Sequence, residues 1–174
     1  PAHPIAGTEQ SGVQASVADL FDGRLCIITP DEATDADALE RVQAMWEATG
    51  SRVITMPAGE HDDFLAAVSH LPHLAAYALV NAVRKLGDAT HDPFQFAAGG
   101  FRDFTRIASS SPEMWRDIAL YNREALMHKI DALQAELAIL RQALADGDAD
   151  TLLDAFAAAK RVRDAWLETH GGNL

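Results

Sequence analysis

The hydrophobic pattern is strongest between residues 60 and 86, where it predicts one long apolar helix. Apolar residues recur there at three- and four-residue steps, which is the spacing of a helix with a wide apolar face. A helix at the protein surface needs no such width, so we expect this one to lie in the middle of its domain with most of its circumference buried. Pro72 lacks a backbone N–H and predicts a kink near the centre of the helix.

Residues 1–56 carry a different pattern, which predicts a strand–helix–strand unit. Continuous apolar runs at 24–29 and 52–56 are typical of buried strands, and helical periodicity at 38–46 lies between them. This order indicates the edge of an α/β sheet. Two strands are not stable as an isolated sheet, so the segment requires more strands than its own pattern predicts.

Turn residues and caps predict the stretches around these strands. Residues 1–12 contain two prolines and two glycines without apolar periodicity, so we expect a loop there. A short helix is predicted over 13–20. Asp31 or Thr34 is the expected N-cap of the helix that follows the first strand.

Beyond residue 56 the pattern is helical, and no further strand is predicted. Ser111 followed by Pro112 is a strong helix start. The helix that begins there carries a heptad seam, which predicts lengthwise packing against another helix. The seam consists of Leu126, Ile130, Leu133, Leu137, Leu140 and Leu144. A last amphipathic helix follows, so the predicted fold class is mainly α, with a short α/β segment in 1–56 and an all-helical 57–174.

Composition and charge argue against several classes of protein, including nucleic-acid-binding and membrane proteins. The chain has 174 residues and a formal net charge of −12 at pH 7, which disfavours a protein that binds nucleic-acid phosphates. There is no run of about 18 uninterrupted apolar residues and no signal-peptide pattern, so we expect a cytoplasmic protein without a membrane partner. A single cysteine excludes a disulfide within the chain. Because the sequence begins Pro-Ala-His without an initiator methionine, we expect a fragment.

Polar side chains interrupt the apolar helix near its kink. They are His61, Ser69, His70 and His73. A buried polar group is costly unless it has a partner, and any one of these histidines alone is more typical of a structural contact to a backbone carbonyl. Three histidines beside a kink favour a polar cavity lined by this helix.

Four parts of the chain could together form a site for an anionic small molecule. They are the loop with His3, the apolar helix with its histidines, Arg102 with Arg106, and Trp115. Histidine is the natural general base near neutral pH, and the forked guanidinium of Arg102 or Arg106 suits a carboxylate. A zinc site formed by His61, His70 and His73 is the competing interpretation. Neither an HExxH motif nor paired cysteines accompany these histidines, so we predict no metal site.

Three motifs occur in one order along nearly the whole chain. They are HPIAGTEQSG, then VSHLPH with a histidine nine residues before its first histidine, then GGFRDFTRIASSSPEMWRDI. In these motifs the chain resembles the prephenate/arogenate (cyclohexadienyl) dehydrogenase family of tyrosine biosynthesis. The resemblance implies an amino-terminal Rossmann-like domain for a nicotinamide cofactor and a carboxy-terminal helical dimerisation domain. Residues 1–56 would be the last portion of the nucleotide-binding domain, and 57–174 the helical substrate-binding and dimerisation domain.

The resemblance also implies roles for individual residues. His3 resembles the catalytic histidine that accepts the proton of the substrate 4-hydroxyl group as hydride leaves, and Arg106 resembles the arginine that holds a substrate carboxylate. Trp115 resembles a tryptophan that reaches the site from the other subunit, and Asp103 resembles an acid in an ionic network between subunits. The other implied substrate contacts are Thr8, Glu9, His61, Ser69, His73 and Arg102. Many relatives carry lysine at the position of Arg102, which keeps the charge but changes the geometry.

The reaction implied by the resemblance is oxidative decarboxylation of prephenate to 4-hydroxyphenylpyruvate, with NAD or NADP as hydride acceptor, in a homodimer. The family's glycine-rich phosphate loop lies upstream, and no GxGxxG is visible here, so we expect this chain alone to be inactive. Arogenate dehydrogenase is an alternative, and so is a non-catalytic helical module that dimerises and senses tyrosine. The sequence leaves open the substrate, the cofactor and tyrosine as a feedback ligand.

Overall fold

The computed structural model describes residues 1–6, 12–88 and 91–170. The strands are β1 (Ala2–Pro4), β2 (Leu25–Ile28) and β3 (Arg52–Thr55). The α-helices are α1 (Ala36–Glu47), α2 (Ala58–Leu65), α3 (Leu71–Leu86), α4 (Gly99–Thr105), α5 (Pro112–Tyr121), α6 (Arg123–Asp146) and α7 (Ala149–His170). The predicted fold class is confirmed, because a short sheet is followed by helices alone in the part of the chain that the structure describes.

A three-stranded sheet in the order β1-β2-β3 forms the amino-terminal part. β2 and β3 are parallel and connected through α1, whereas β1 pairs antiparallel with β2 and places His3 opposite Ile27. The loop predicted over 1–12 is therefore wrong for Ala2–Pro4. Prolines are tolerated in an edge strand, and pairing with a distant strand leaves no local periodicity to detect.

The helix predicted over 13–20 is wrong beyond one 3-10 turn at Val13–Ala15. The Ser16 hydroxyl donates to the Val13 carbonyl oxygen at 2.6 Å. The same carbonyl also accepts the Ser16 backbone N–H at 3.2 Å, and the extended backbone of Ser16 (ψ 139°) ends the turn at that residue.

The N-cap of α1 also differs from the prediction. Asp35 is the cap, and its carboxylate accepts a hydrogen bond from the Ala38 N–H at 2.8 Å. The Thr34 hydroxyl instead donates to the Asp31 carboxylate at 2.8 Å, so these two residues form a turn of their own before the helix.

The long apolar segment is helical throughout, with a π turn at its centre. Between α2 and α3, residues Ala66–His70 form this turn, and the Leu71 N–H bonds to the Ala66 carbonyl five residues back. Single π turns within α-helices occur frequently at functional sites. The kink predicted near Pro72 is thus a π turn that ends two residues before the proline.

The predicted burial of this helix is wrong within the single chain. Leu65, Ala66 and Ala76 are buried, but Phe64 and Val68 are 53% and 74% exposed, because neighbouring elements of the chain cover only part of the helix. By length and composition alone, residues 58–86 could cross a membrane, with 17% of their most apolar window buried. This is weak evidence, since the core helix of a soluble protein passes the same test.

The carboxy-terminal helices differ from the prediction in one place. The helix that starts at Pro112 is interrupted at Asn122, so the heptad seam belongs to α6 alone. α6 ends at Asp146. Gly147 follows with a φ of 67°, which suits glycine, and the Asp148 N–H bonds back to the Ala143 carbonyl at 2.9 Å. The chain forms two compact units, Pro1–Met127 and His128–Leu174.

Candidate active site

Two histidines from distant parts of the chain meet at the sheet edge. His3 lies in β1, and its Nδ1 is 2.9 Å from the Nε2 of His61 in α2. The two rings are edge-to-face, with centroids 5.2 Å apart. His3 is exposed, whereas the His61 side chain is 17% exposed. β1 therefore presents a histidine to solvent with a second, more buried histidine behind it.

A carboxylate extends this pair. The Nδ1 of His61 is 2.8 Å from an oxygen of Asp62, the next residue of α2. The chain of contacts thus runs from a carboxylate through one imidazole to another, as Asp62–His61–His3.

The π turn brings a third histidine next to α2. The Asn122 amide, at the junction of α5 and α6, donates to the Asp62 carbonyl at 2.7 Å and to the His70 Nδ1 at 3.2 Å. His70 Nδ1 therefore acts as an acceptor, which requires the neutral imidazole. One amide side chain in this way connects α2 and the π turn to the α5–α6 junction.

A fourth histidine packs against tryptophan. The His73 ring stacks on Trp115 with centroids 3.6 Å apart and an interplanar angle of 19°. The His73 Nδ1 lies 2.9 Å from the Ser69 carbonyl oxygen, so it carries the proton and donates. Trp115 is 7% exposed, and its indole nitrogen has no hydrogen-bond partner among the described residues. The structure places Trp115 against its own chain's histidines, and a role in a neighbouring subunit's site remains a prediction.

Three of these histidines share a lowered pKa. Burial lowers the pKa of His3, and the nearby His61 lowers it further. Burial is also the main cause for His70, with a smaller contribution from His3, and the main cause for His73. Neutral imidazoles are therefore favoured near pH 7, as a general base requires.

An open cleft borders the same cluster. It measures about 400 Å³ and is lined by Asp62, His70, Met114, Asp117, Ile118, Tyr121 and Asn122. The two acids, the histidine and the amide give one side of this cleft a polar lining.

The predicted arginines line a different cleft. It measures about 490 Å³ and is lined by Phe101, Arg102, Thr105, Arg106 and Ser109, on α4 and the 3-10 turn that follows it. Arg102 pairs with the adjacent Asp103 at 3.2 Å, with both side chains largely exposed. The Tyr77 hydroxyl of α3 donates to the Ser110 carbonyl at 2.8 Å, so a hydrogen bond connects α3 to the end of this 3-10 turn.

The structure thus brings together some of the predicted site residues and not others. His3 and His61 touch, Ser69 and His73 touch, and Arg102 and Arg106 share a cleft. Thr8 and Glu9 lie outside the described residues.

Sequence reasoning missed two residues of the cluster. Asp62 follows His61 directly, and that carboxylate–imidazole adjacency was a usable signal. Asn122 had none, because its partners are 52 and 60 residues away. Among the described residues, no group of three ligand-type side chains is arranged to hold a metal ion.

Comparison with known proteins shows the family of the chain. The "Prephenate dehydrogenase, dimerization domain" family matches residues 57–158, and the "Prephenate dehydrogenase, nucleotide-binding domain" family matches residues 1–55. The cyclohexadienyl dehydrogenase of Zymomonas mobilis is 42% identical over 98% of this chain, and the prephenate dehydrogenase of Bacillus subtilis is 39% identical over 93%. The chain spans 58% and 44% of the lengths of these two relatives.

Solved structures show the same relationship. The prephenate dehydrogenase of Aquifex aeolicus, in complex with hydroxyphenyl propionate and NAD+, matches 94% of this chain with a TM-score of 0.90 at 40% identity, over 57% of its own length. The arogenate dehydrogenase of Synechocystis matches 95% of the chain with a TM-score of 0.80 at 27% identity, over 60% of its own length. The family match covers more than half of the chain, and the chain therefore belongs to the prephenate dehydrogenase family.

Proposed function

We propose that this chain is the substrate-binding and dimerising part of a cytoplasmic prephenate dehydrogenase. The observation that supports it most directly is His3, an exposed imidazole backed by a second histidine and held neutral by its surroundings. A tyrosine-sensing module would need a pocket but no such base. The assignment of residues 1–56 to the nucleotide-binding domain and 57–174 to the helical domain is supported by the family matches at 1–55 and 57–158.

The proposed reaction requires a proton acceptor beside the 4-hydroxyl oxygen of the substrate. Hydride leaves the ring carbon that bears the 4-hydroxyl group, and the same carbon becomes carbonyl-like as its hydroxyl proton moves to the neutral His3. The ring carboxylate then leaves as carbon dioxide, and its bonding electrons make the ring aromatic. The proton returns from His3 to the phenolic oxygen, so the products are 4-hydroxyphenylpyruvate, carbon dioxide and a reduced cofactor.

Arg106 is proposed to bind a carboxylate of the substrate through its forked guanidinium, with Arg102 beside it. Ser69 and His73 are proposed to line the remainder of the pocket, with Trp115 against His73. A homodimer is proposed to complete the site, with Asp103 in the contacts between subunits. The match of residues 57–158 to a dimerization domain supports it.

The nicotinamide cofactor is proposed to be NAD. Its role is to accept the hydride. The residues described here fit it only in part: the sheet supplies β2, α1 and β3, but no glycine-rich turn that could cradle the pyrophosphate. The A. aeolicus relative was crystallised with NAD+, which supports NAD over NADP.

The His3→Asn variant of the full-length enzyme tests this function. We expect kcat with prephenate and NAD to fall by about 10²–10⁴ with little change in KM, because a general base acts in the transition state. His91→Asn is the matched control, since the His91 side chain is 84% exposed and bonds to the nearby Asp88. A fall of less than about threefold in His3→Asn would show that His3 is not the base.

A further inference from the structure

His61 and Asp62 have a geometry that goes beyond lining a substrate pocket. Asp62 is 57% exposed and contacts His61, His61 is mostly buried and contacts His3, and His3 is exposed. His61 is thus the more buried residue between two exposed ones, and Asp62 contacts the His3 ring only through the His61 ring.

The hydrogen-bond requirements of the three side chains fix where the protons lie. An ionised carboxylate only accepts, so the His61 Nδ1 that faces Asp62 must carry a proton. In the neutral imidazole the other nitrogen, Nε2, is then an acceptor. At 2.9 Å, two ring nitrogens need one proton between them, and that proton must come from the His3 Nδ1.

Resting on the proposed role of His3 as the base, we propose that Asp62 and His61 are positioning residues that hold His3 in its Nδ1-protonated tautomer. In that tautomer the Nε2 of His3 carries the free lone pair, which is the atom that takes the substrate's hydroxyl proton. With Nδ1 engaged by His61, Nε2 is the ring nitrogen left for this role. The opposite tautomer would present an N–H to the hydroxyl group and could not accept its proton.

The same contact sets the ring's orientation. His3 stands in the middle of a three-residue edge strand, where a side chain has few neighbours of its own. The edge-to-face contact with His61 and the hydrogen bond together restrict rotation of the His3 ring. His61 is held in turn by Asp62, and the backbone of Asp62 is held by Asn122. The orientation of the base is thus supported from α2 and from the α5–α6 junction.

Nitrogen NMR of the full-length protein labelled with ¹⁵N-histidine tests the tautomer directly. At about pH 8, above the ordinary histidine pKa of about 6.5, we expect the His3 Nδ1 to show the signal of a protonated nitrogen and Nε2 that of an unprotonated one. The His3→Asn variant identifies the signals. In His61→Leu the Nδ1-protonated form should lose its dominance, because its acceptor is gone.

Kinetics supply the second measurement. His61→Leu should lower kcat by about 10–10² with KM within about twofold, less than the loss of the base itself. His61→Gln should recover part of this loss, because the amide oxygen can still accept from the His3 Nδ1. Asp62→Asn should give a smaller fall than His61→Leu, since an amide can be oriented to accept as the carboxylate does. Glu60→Gln removes one negative charge from the same helix and should leave kcat unchanged.

Two NMR results would overturn the proposal. One is an Nε2-protonated His3 in the wild-type protein, and the other is an Nδ1-protonated His3 that persists in His61→Leu. Neither depends on turnover, so both are distinct from a failure of the proposed function, which would appear as an active His3→Asn enzyme. A His61→Leu variant with normal kcat would likewise exclude a positioning role.

Discussion

The histidine cluster and the carboxy-terminal helix pair are held together in different ways. In the cluster, hydrogen bonds from side chains join residues 58, 60 and 52 positions apart, as in His3–His61, Asn122 to the Asp62 carbonyl, and Asn122–His70. In residues 128–170 the side-chain bonds described join positions three or four apart, such as Gln142–Asp146. The histidine cluster is therefore held by hydrogen bonds between residues far apart in the chain. The side-chain hydrogen bonds of residues 128–170 join near neighbours.

The carboxy-terminal helix pair also exposes many large apolar side chains. Large apolar side chains of α6 and α7 are exposed by 40% to 73%, and they are Met127, Leu137, Ile139, Leu144, Leu153, Phe156, Val162, Trp166 and Leu167. Soluble monomers rarely expose contiguous apolar surface of this extent. The comparison teaches that the contacts among the histidines are formed within one copy, whereas the last two helices leave apolar side chains exposed that the proposed dimer would cover.

The largest effect is expected from a substitution that disrupts the proposed dimer contact of α6. Leu137→Glu places a charge on the heptad seam of α6, where 55% of the leucine is exposed in the single chain. In a two-fold interface the charge is buried twice, at several kcal/mol. We expect the dimer dissociation constant to rise by about 100-fold or more, measured by sedimentation at low micromolar concentration.

Gln134→Glu is the control for this variant, since it adds the same charge to an exposed polar position of the same helix. We further expect dilution of the wild-type protein to unfold the helical part and not release a folded monomer. A monomer with native helical content at low micromolar concentration would contradict the dimer.

The next largest effect is expected on KM, from substitutions in the cleft lined by Arg102 and Arg106. Arg106→Ala should raise KM for prephenate by about 10–10², because a charge-assisted hydrogen bond to a carboxylate contributes about 1.5–3 kcal/mol. Arg106→Lys should rescue this only in part, because the forked geometry is lost. Arg84→Ala, at the exposed end of α3, is the control. Full rescue by lysine would mean that charge alone is enough.

The smallest effect concerns pH and the cluster alone. His3, His70 and His73 have folded pKa values below the ordinary value of about 6.5. As pH falls below 6.5, the unfolded chain therefore binds more protons than the folded one, and the unfolding free energy falls. Protonation of His70 also removes the acceptor for Asn122.

We expect His70→Asn to make the melting temperature less dependent on pH, by about 1–3 °C between pH 7.5 and about 5.5. Calorimetry of both proteins measures the difference. The groups that face His70 are His3, His61, His73 and Asp62, and they are unchanged in the variant. An equal pH dependence in the two proteins would show that His70 is not neutral in the folded state.

Local pattern predicted the elements whose signal is local. β2, α1, β3 and the long apolar helix follow from runs of apolar residues and from helical periodicity, and their bounds lie within a few residues of the prediction. β1 was missed because a three-residue edge strand flanked by proline is defined by its partner β2. The break at Asn122 was missed for the same reason, since the amide bonds to residues far along the chain.

The site shows the same limit. Residue type and motif identified His3, His61 and His73, but the contact between His3 and His61 needs the sheet and α2 to be in place. The burial predicted for the apolar helix was wrong because a sequence pattern reports how much surface must be covered, and says nothing of which chain covers it.

The π turn at Ala66–His70 has a consequence for how the helix tolerates insertions and deletions. An α-helix advances about 100° per residue, so a turn that closes on five residues changes the angular phase between α2 and α3. His61 lies in α2, before the π turn, and His73, which stacks on Trp115, lies in α3, after it. Deleting one residue between them would restore a regular helix and turn one histidine away from its partner. The rotation of one end of this helix relative to the other is thus fixed by the number of residues in a single turn.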